Sequence, residues 1–148
     1  QVEANRMGDS EGVRLTLLLD TNFLLMMARG VIAPSSISEA VGVSYRLATS
    51  SAVVNELRRI AGAGDFLARQ AAFALGLIER LDISVIESSK TDADSSLVEL
   101  AMKLRAEGAP VAVATSDREL RRRLRELGVA TLYYREEGSI LEVEWEPL

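Results

Sequence analysis

The sequence contains neither cysteine nor histidine, and both absences limit the chemistry that the protein can perform. Without cysteine, the chain has no disulfide, no thiolate metal site and no thiol nucleophile. Without histidine, it lacks the most common general base and any Ser-His-Asp arrangement. Carboxylates, hydroxyls, lysine, arginine or a metal ion must therefore carry out any catalysis. The oxygen ligands that remain favour Mg²⁺ or Mn²⁺ over zinc.

Long apolar runs are also missing, and no segment approaches the roughly 18–20 residues of a membrane span. We see no secretory signal, and we expect a cytoplasmic protein without a membrane partner. The length of 148 residues fits one domain, which we predict to occupy residues 14–146. Residues 1–13 are polar and aperiodic, which predicts a disordered leader. The net charge of −5 argues against a protein that coats nucleic acid in general, but it allows a local basic patch.

Short apolar segments alternate with amphipathic ones along the chain. The run Leu15–Leu19 is almost continuously apolar, which is typical of a strand buried on both faces of a parallel sheet. Further strands are predicted at 45–49, 83–86, 111–114, 129–134 and 140–145. Strands that alternate with helices predict an α/β fold, a three-layer α/β/α sandwich with a central parallel sheet and a C-terminal β-hairpin. Side-chain caps are predicted to begin helices at Ser36, Thr91 and Ser116.

Four acidic residues fall at the carboxyl ends of predicted strands or in the first two turns of the neighbouring helices: Asp20, Glu56, Asp94 and Asp117. In an open α/β sheet these places converge in one crevice. Each residue alone is more often a helix cap or an acid favoured by the helix dipole. All four together favour a metal site, because converging carboxylates repel one another unless a cation compensates them. Asp92, near Asp94, is either an outer ligand or a plain cap.

Polar side chains beside these acids have two interpretations as well. Thr21 and Asn22 directly follow Asp20, so they either cap the first helix or orient the Asp20 carboxylate. Thr115 and Ser116 directly precede the fourth acid, and Ser116 can cap a helix while its neighbour binds metal. The interpretation that we favour places these hydroxyls and the amide around the metal ligands.

Arginines are concentrated on the helix that begins near residue 117, at positions 118, 121, 122, 123 and 125. Two more, Arg58 and Arg59, follow closely after Glu56. A solvated helix face would explain this pattern equally well. Positive charge beside a carboxylate site also suits a polyanion that is held by its phosphates. The RNA-binding candidates are therefore Arg58, Arg118, Arg121 and Arg122.

The chain resembles PIN domains in the order and spacing of its acidic segments. The similarity rests on Leu17–Asn22, on Glu56 after a strand and cap, and on the segments 94–97 and 113–120. It extends over about residues 14–145. The basic helix and the strand that follows it are most similar to archaeal PIN proteins of the ribosomal-RNA-processing group. They are also similar to the VapC toxins.

This resemblance implies a metal-dependent endoribonuclease that cleaves single-stranded RNA and leaves a 5′-phosphate and a 3′-hydroxyl. It assigns the catalytic and metal-binding roles to Asp20, Glu56, Asp94 and Asp117, with one or two Mg²⁺ or Mn²⁺ ions. The family often has asparagine where this chain has Ser116. The resemblance leaves three functions open, namely ribosomal-RNA processing with a ribosome-assembly partner, a toxin paired with an antitoxin, and a catalytically silent scaffold that binds RNA or protein. It also implies a homodimer through the segment 65–81, although a buried core helix is the simpler interpretation.

Overall fold

A central sheet of six strands organises the protein, whose computed structural model describes residues 14–144. The strands are β1 (Leu15–Leu19), β2 (Tyr45–Ser50), β3 (Ser84–Ile86), β4 (Val111–Ala114), β5 (Ala130–Arg135) and β6 (Ile140–Glu144). The helices are α1 (Thr21–Ala28), α2 (Pro34–Val41), α3 (Ser51–Ala61), α4 (Phe66–Arg80), α5 (Ala93–Ala106) and α6 (Arg118–Glu126). The leader predicted over 1–13 and the predicted domain end at 146 lie outside the described residues.

The strands follow the spatial order β3-β2-β1-β4-β5-β6, with β1 between β2 and β4. The first five are parallel, and β6 pairs antiparallel with β5 as the predicted C-terminal hairpin. Helices pack around this sheet, so the α/β/α prediction is confirmed. Because parallel strands end at the same edge, the helix starts after β1, β2 and β4 are brought close together.

The core lies along β1 and β4, which are buried along their whole length. Leu17, Leu18 and Leu19 are completely buried, as a strand covered on both faces requires. Leu57 from α3 and Leu97 from α5 are equally buried. The apolar face of each helix therefore fixes the side chains that stand at the helix starts.

The predicted cap of α2 is wrong. This helix begins at Pro34, and Ala33 precedes it without a side-chain cap. Proline suits the first helical position, because its fixed φ matches the helix and its missing N–H would have no partner there. Ser36 therefore lies inside the helix instead of before it.

The predicted caps at Thr91 and Ser116 are each wrong by one residue. Asp92 caps α5 by accepting a hydrogen bond from the Ser95 N–H, at 2.9 Å. Asp117 caps α6 in the same way. Aspartate and the hydroxyl residue before it are both good caps, so sequence preference alone did not separate them.

No helix among residues 14–144 is both long enough and apolar enough to cross a membrane.

Candidate active site

The four predicted acids converge on one cavity of about 310 Å³ at the carboxyl edge of the sheet. Four separate elements supply them, because Asp20 follows β1, Glu56 lies in α3, Asp94 lies in α5 and Asp117 follows β4. The remaining lining residues are Thr21, Asn22 and Ser116. The sequence prediction that these acids would meet at one sheet edge therefore agrees with their placement in the structure.

Asp20 is the most enclosed of the four, with only 5% of its surface exposed. Its carboxylate accepts a hydrogen bond from the Phe23 N–H at 2.7 Å, so it caps α1. Burial raises its pKa from 3.8 to about 6, and the negative charges of Asp94 and Asp117 add to this rise. Hydrogen bonds from the Thr115 side chain and the Phe23 N–H act in the opposite direction. The cap and the site interpretations of Asp20 are thus compatible.

Asp94 lies half-buried in the first turn of α5. Burial raises its pKa, and the charges of Asp117, Asp92 and Glu56 raise it further. Arg123 is close enough to lower that pKa in part, but it does not form an ion pair with Asp94 among the described residues. The site therefore has an excess of negative charge where the carboxylates meet.

Two threonine hydroxyls form hydrogen bonds with the acidic residues of the cavity. The Thr21 hydroxyl donates to the Glu56 carboxylate at 2.6 Å and so joins α1 to α3. Thr115 is fully buried; its hydroxyl accepts the Asp117 N–H at 3.1 Å, and its side chain lowers the pKa of Asp20. One buried threonine thus acts on the acids at two strand ends.

Ser116 fixes the start of α6 against the hairpin. Its hydroxyl accepts the Tyr134 N–H at 3.0 Å and lies 3.4 Å from the Tyr134 carbonyl, to which it donates. Asp117 then accepts the Leu120 N–H at 2.8 Å. Asn22 lines the cavity as an exposed side chain. These contacts orient Asp117 toward the same cavity as Asp20.

The carboxylates are near one another without forming a closed ligand cage. Within residues 14–144, no three acidic side chains are close enough to coordinate one ion directly. Capping bonds hold Asp20 and Asp117, and the Thr21 hydroxyl holds Glu56, which accounts for this spacing. Carboxylate oxygens are nevertheless the ligands that Mg²⁺ and Mn²⁺ prefer, and Mg²⁺ usually keeps several waters. The donor set therefore fits a hydrated divalent cation.

Asp92 lies in a neighbouring cavity and not in that of Asp20. That second cavity also contains Asn55 and Arg59, two residues that sequence reasoning did not assign to a site. Arg59 lies three residues after Glu56, a spacing that makes the two side chains neighbours on α3, and this spacing was the available indication. Asn55 directly precedes Glu56, and that spacing gave no such indication.

The predicted RNA-binding arginines differ in their exposure and in the ion pairs that they form. Arg58 and Arg118 are exposed, and Arg118 is the first residue of α6, directly after Asp117. Arg122 pairs with Glu119 at 2.5 Å and with Glu126 at 2.9 Å.

Arg121 is the least accessible of these arginines, with 20% of its side chain exposed. It lies 3.3 Å from Glu144, and its guanidinium is 3.5 Å from the centre of the Tyr133 ring. Its contacts therefore join α6 to the hairpin.

Comparisons with known proteins agree with this architecture. A family model described as "PIN like domain" matches residues 17–137. The solved structure of the PIN domain endonuclease Utp24 is similar at 20% identity with a TM-score of 0.68, over 87% of this chain and 90% of that one. VapBC-1 from nontypeable Haemophilus influenzae matches at 18% identity, over 75% of this chain and 93% of that one, but with a TM-score of only 0.41. No curated protein sequence matches the chain.

Proposed function

Because the chain belongs to the PIN-like domain family, we propose that it is a metal-dependent endoribonuclease that cleaves single-stranded RNA in the acidic cavity. One observation carries the proposal, namely that carboxylates from four elements line a single cavity. Among the described residues, Asp20, Asp94 and Asp117 have no arginine or lysine in an ion pair, and only Glu56 has one. Such uncompensated charge is unfavourable in a purely structural cluster and useful in a cation site.

One or two Mg²⁺ or Mn²⁺ ions would be held mainly by Asp20 and Asp117. Glu56 and Asp94 would complete the ligand set through bound water, because no three acidic side chains within residues 14–144 are close enough to bind one ion directly. When bound, such ions supply an activated water and a Lewis acid for the scissile phosphate. This chemistry replaces the general base that a histidine would provide elsewhere.

The chain's own residues contribute by orientation. The Phe23 N–H holds the Asp20 carboxylate, and the Leu120 N–H holds that of Asp117. The Thr21 hydroxyl keeps Glu56 turned toward the cavity. Fixed side chains of this kind lose little freedom when the substrate arrives, which favours catalysis.

Cleavage of an end-labelled single-stranded RNA tests this proposal. We expect cleavage with Mn²⁺ or Mg²⁺, none with a chelator, and at least a roughly 100-fold loss in Asp20→Asn, on the order of the loss of a charged group that acts in the transition state. Asp65→Asn is the matched control, because Asp65 caps α4 in the same way and lines neither acidic cavity. Equal cleavage by both variants would contradict the assignment of catalysis to the acidic cavity. No cleavage by the wild type across varied RNAs would instead indicate a silent scaffold.

Arg118 and Arg58 are proposed to hold the RNA backbone, with smaller contributions from Arg121 and Arg122. Exposed arginines beside the cavity can neutralise phosphates and release counterions. Replacing Arg118 and Arg122 by alanine should weaken RNA binding and flatten its salt dependence, by about one unit of slope for each phosphate that the variant no longer neutralises. Lys103→Ala, an exposed charge later on α5, is the control. Unchanged binding in the double variant would reduce α6 to a solvated helix face.

Ribosomal RNA is the substrate that we propose, because α6 and β5 resemble the archaeal processing group in sequence. Mapping new 5′ ends in total RNA treated with the protein tests this choice. Ends concentrated in ribosomal precursors support it, whereas ends in other RNAs favour a toxin that would act with an antitoxin partner.

We also propose a homodimer through α4. Phe66 is 77% exposed and Phe73 is 50% exposed on this helix, an unusual exposure for large aromatic side chains. Replacing both by serine should convert a dimer into a monomer in light scattering after gel filtration. A wild type that is already monomeric at high concentration would contradict the proposal.

A further inference from the structure

A second cavity, of about 330 Å³, lies directly beside the acidic cavity. Residues of α3 from Ala52 to Arg59 line one side of it, and residues 91–94 at the start of α5 line the other. The Ser50 and Ser96 hydroxyls join these two segments at 2.7 Å. Glu56 and Asp94 line both cavities, so the two spaces share a wall. An RNA whose phosphate lies in the first cavity can therefore place a neighbouring nucleotide in the second. Its volume is at the lower end of the range for small-molecule pockets, about 300–1,000 Å³.

The charges in this second cavity exclude a phosphate as its occupant. Three carboxylates line it, those of Glu56, Asp92 and Asp94, against one guanidinium. That guanidinium belongs to Arg59, which already lies 3.8 Å from Glu56. Asp92 accepts the Ser95 N–H at 2.9 Å as the cap of α5, so one of its carboxylate oxygens already has a partner. The electrostatics therefore suit an uncharged group with hydrogen-bond donors, such as a nucleobase.

The remaining polar groups of the second cavity are of the kinds that form hydrogen bonds with nucleobases. Asn55 is exposed at the cavity wall; its NH₂ group offers donors, and its amide oxygen accepts a long hydrogen bond of 3.5 Å from Arg58. Asp92, when ionised, offers only acceptors. Single-stranded RNA is read through hydrogen bonds of this kind to the edges of splayed bases. Adenine, cytosine and guanine each carry an exocyclic amino group that can donate to a carboxylate. Uracil presents its O4 carbonyl oxygen where cytosine presents its amino group, so a carboxylate that faces this position repels uracil, whose one donor on this edge is N3–H.

We propose that the second cavity binds the base next to the scissile phosphate, an assignment that rests on the proposed ribonuclease function. Within this cavity, Asn55 and Asp92 select amino-bearing bases over uracil. Arg59, 74% exposed at the cavity, contacts the adjoining backbone or stacks on the base. This assigns sequence preference to residues outside the acidic quartet.

Direct binding tests the selection without depending on cleavage. The full chain carrying Asp20→Asn, in Mg²⁺, is titrated with the tetraribonucleotides of adenine, cytosine and uracil while NMR follows the Asn55 side-chain amide. We expect this amide and the methyls of Ala52 and Ala93 to shift, with adenine and cytosine binding at least about fivefold tighter than uracil. Equal affinities, or shifts confined to other surfaces, would overturn the proposal.

The variant Asp92→Asn distinguishes a role of Asp92 in base selection from its role as the cap of α5. Asparagine caps a helix about as well as aspartate, so α5 should stay intact while one acceptor becomes a donor that uracil can use. The preference for adenine over uracil should then fall to near one. Asp65→Asn makes the same exchange at the start of α4, away from both cavities, and should leave the preference unchanged.

An unchanged preference in Asp92→Asn, or an equal loss in Asp65→Asn, would contradict the assignment. Cleavage is scored separately with the unaltered chain. If Asp20→Asn binds with the expected preference but the unaltered chain cuts no RNA, the base-binding cavity stands and the nuclease proposal fails. If the unaltered chain cuts RNA but Asp20→Asn binds all bases equally, the nuclease proposal stands and the selection fails.

Discussion

Replacing Asp20 by asparagine should stabilise the metal-free protein at neutral pH, although it removes the residue most central to the site. The side chain is 5% exposed, and burial raises its pKa from 3.8 to about 6. One pKa unit corresponds to about 1.36 kcal/mol, so ionising this group destabilises the folded state by about 3 kcal/mol relative to the unfolded chain. Asparagine has almost the same shape, carries no charge and can still accept the Phe23 N–H as a cap.

The sign of the pH dependence follows from the raised pKa. Below about pH 3.8 the carboxyl is protonated in both states and the wild type has no penalty from this group. Between about pH 3.8 and about pH 6 the unfolded chain ionises first, so the wild type loses stability, and above about pH 6 this loss is complete. The stability difference between Asp20→Asn and the wild type should therefore grow by about 3 kcal/mol from about pH 3.5 to about pH 7.5.

Urea unfolding with a chelator present, followed by circular dichroism at several pH values, measures this difference. An unsatisfied amide proton in the variant would cost about 1–3 kcal/mol, but this cost would not change with pH. The pH-dependent part of the difference is therefore the decisive quantity. A stability difference that stays constant with pH, or that favours the wild type more strongly at high pH, would refute the assignment of a buried carboxylate with a raised pKa at residue 20.

Three further variants test the packing around the site. Leu57→Ala removes a fully buried side chain and should lower the unfolding free energy by about 2–5 kcal/mol in urea titrations, whereas a loss under about 1 kcal/mol would contradict the packing of α3. Ser116→Ala should cost about 1 kcal/mol, since the Tyr134 N–H loses its partner, and it should speed amide exchange at that N–H. Glu144→Gln should cost at most about 1 kcal/mol, because its pairs with Arg121 and Arg125 are partly exposed, and a larger loss by thermal unfolding would show a stronger network.

The fold was predictable because its main signals are local. A continuous apolar run such as Leu15–Leu19 and the alternation of strands with helices are visible in sequence and determine the sheet class. Cap positions were less predictable where two good capping residues are adjacent. At Thr91 and Asp92, tertiary packing selects the second residue, and no local preference distinguishes them.

The candidate site was predictable in its members but not in its contacts. Strand-end placement was sufficient to bring Asp20 and Asp117 to one cavity. The hydrogen bond from Thr21 to Glu56 depends on how α1 and α3 lie beside each other, which sequence spacing does not reveal. The engagement of Arg121 by Tyr133 and Glu144 likewise depends on the hairpin folding back onto α6. Long-range interactions of this kind require the assembled sheet.

Manganese binding tests the central proposal most directly, because free Mn²⁺ can be counted by electron paramagnetic resonance without any RNA. We predict that the wild type binds one or two ions and that Asp65→Asn binds them with the same affinity as the wild type. Asp20→Asn should bind Mn²⁺ at least about tenfold more weakly, as expected when a ligand carboxylate is removed. Equal Mn²⁺ binding by the wild type and Asp20→Asn would contradict the assignment of these carboxylates to a metal site.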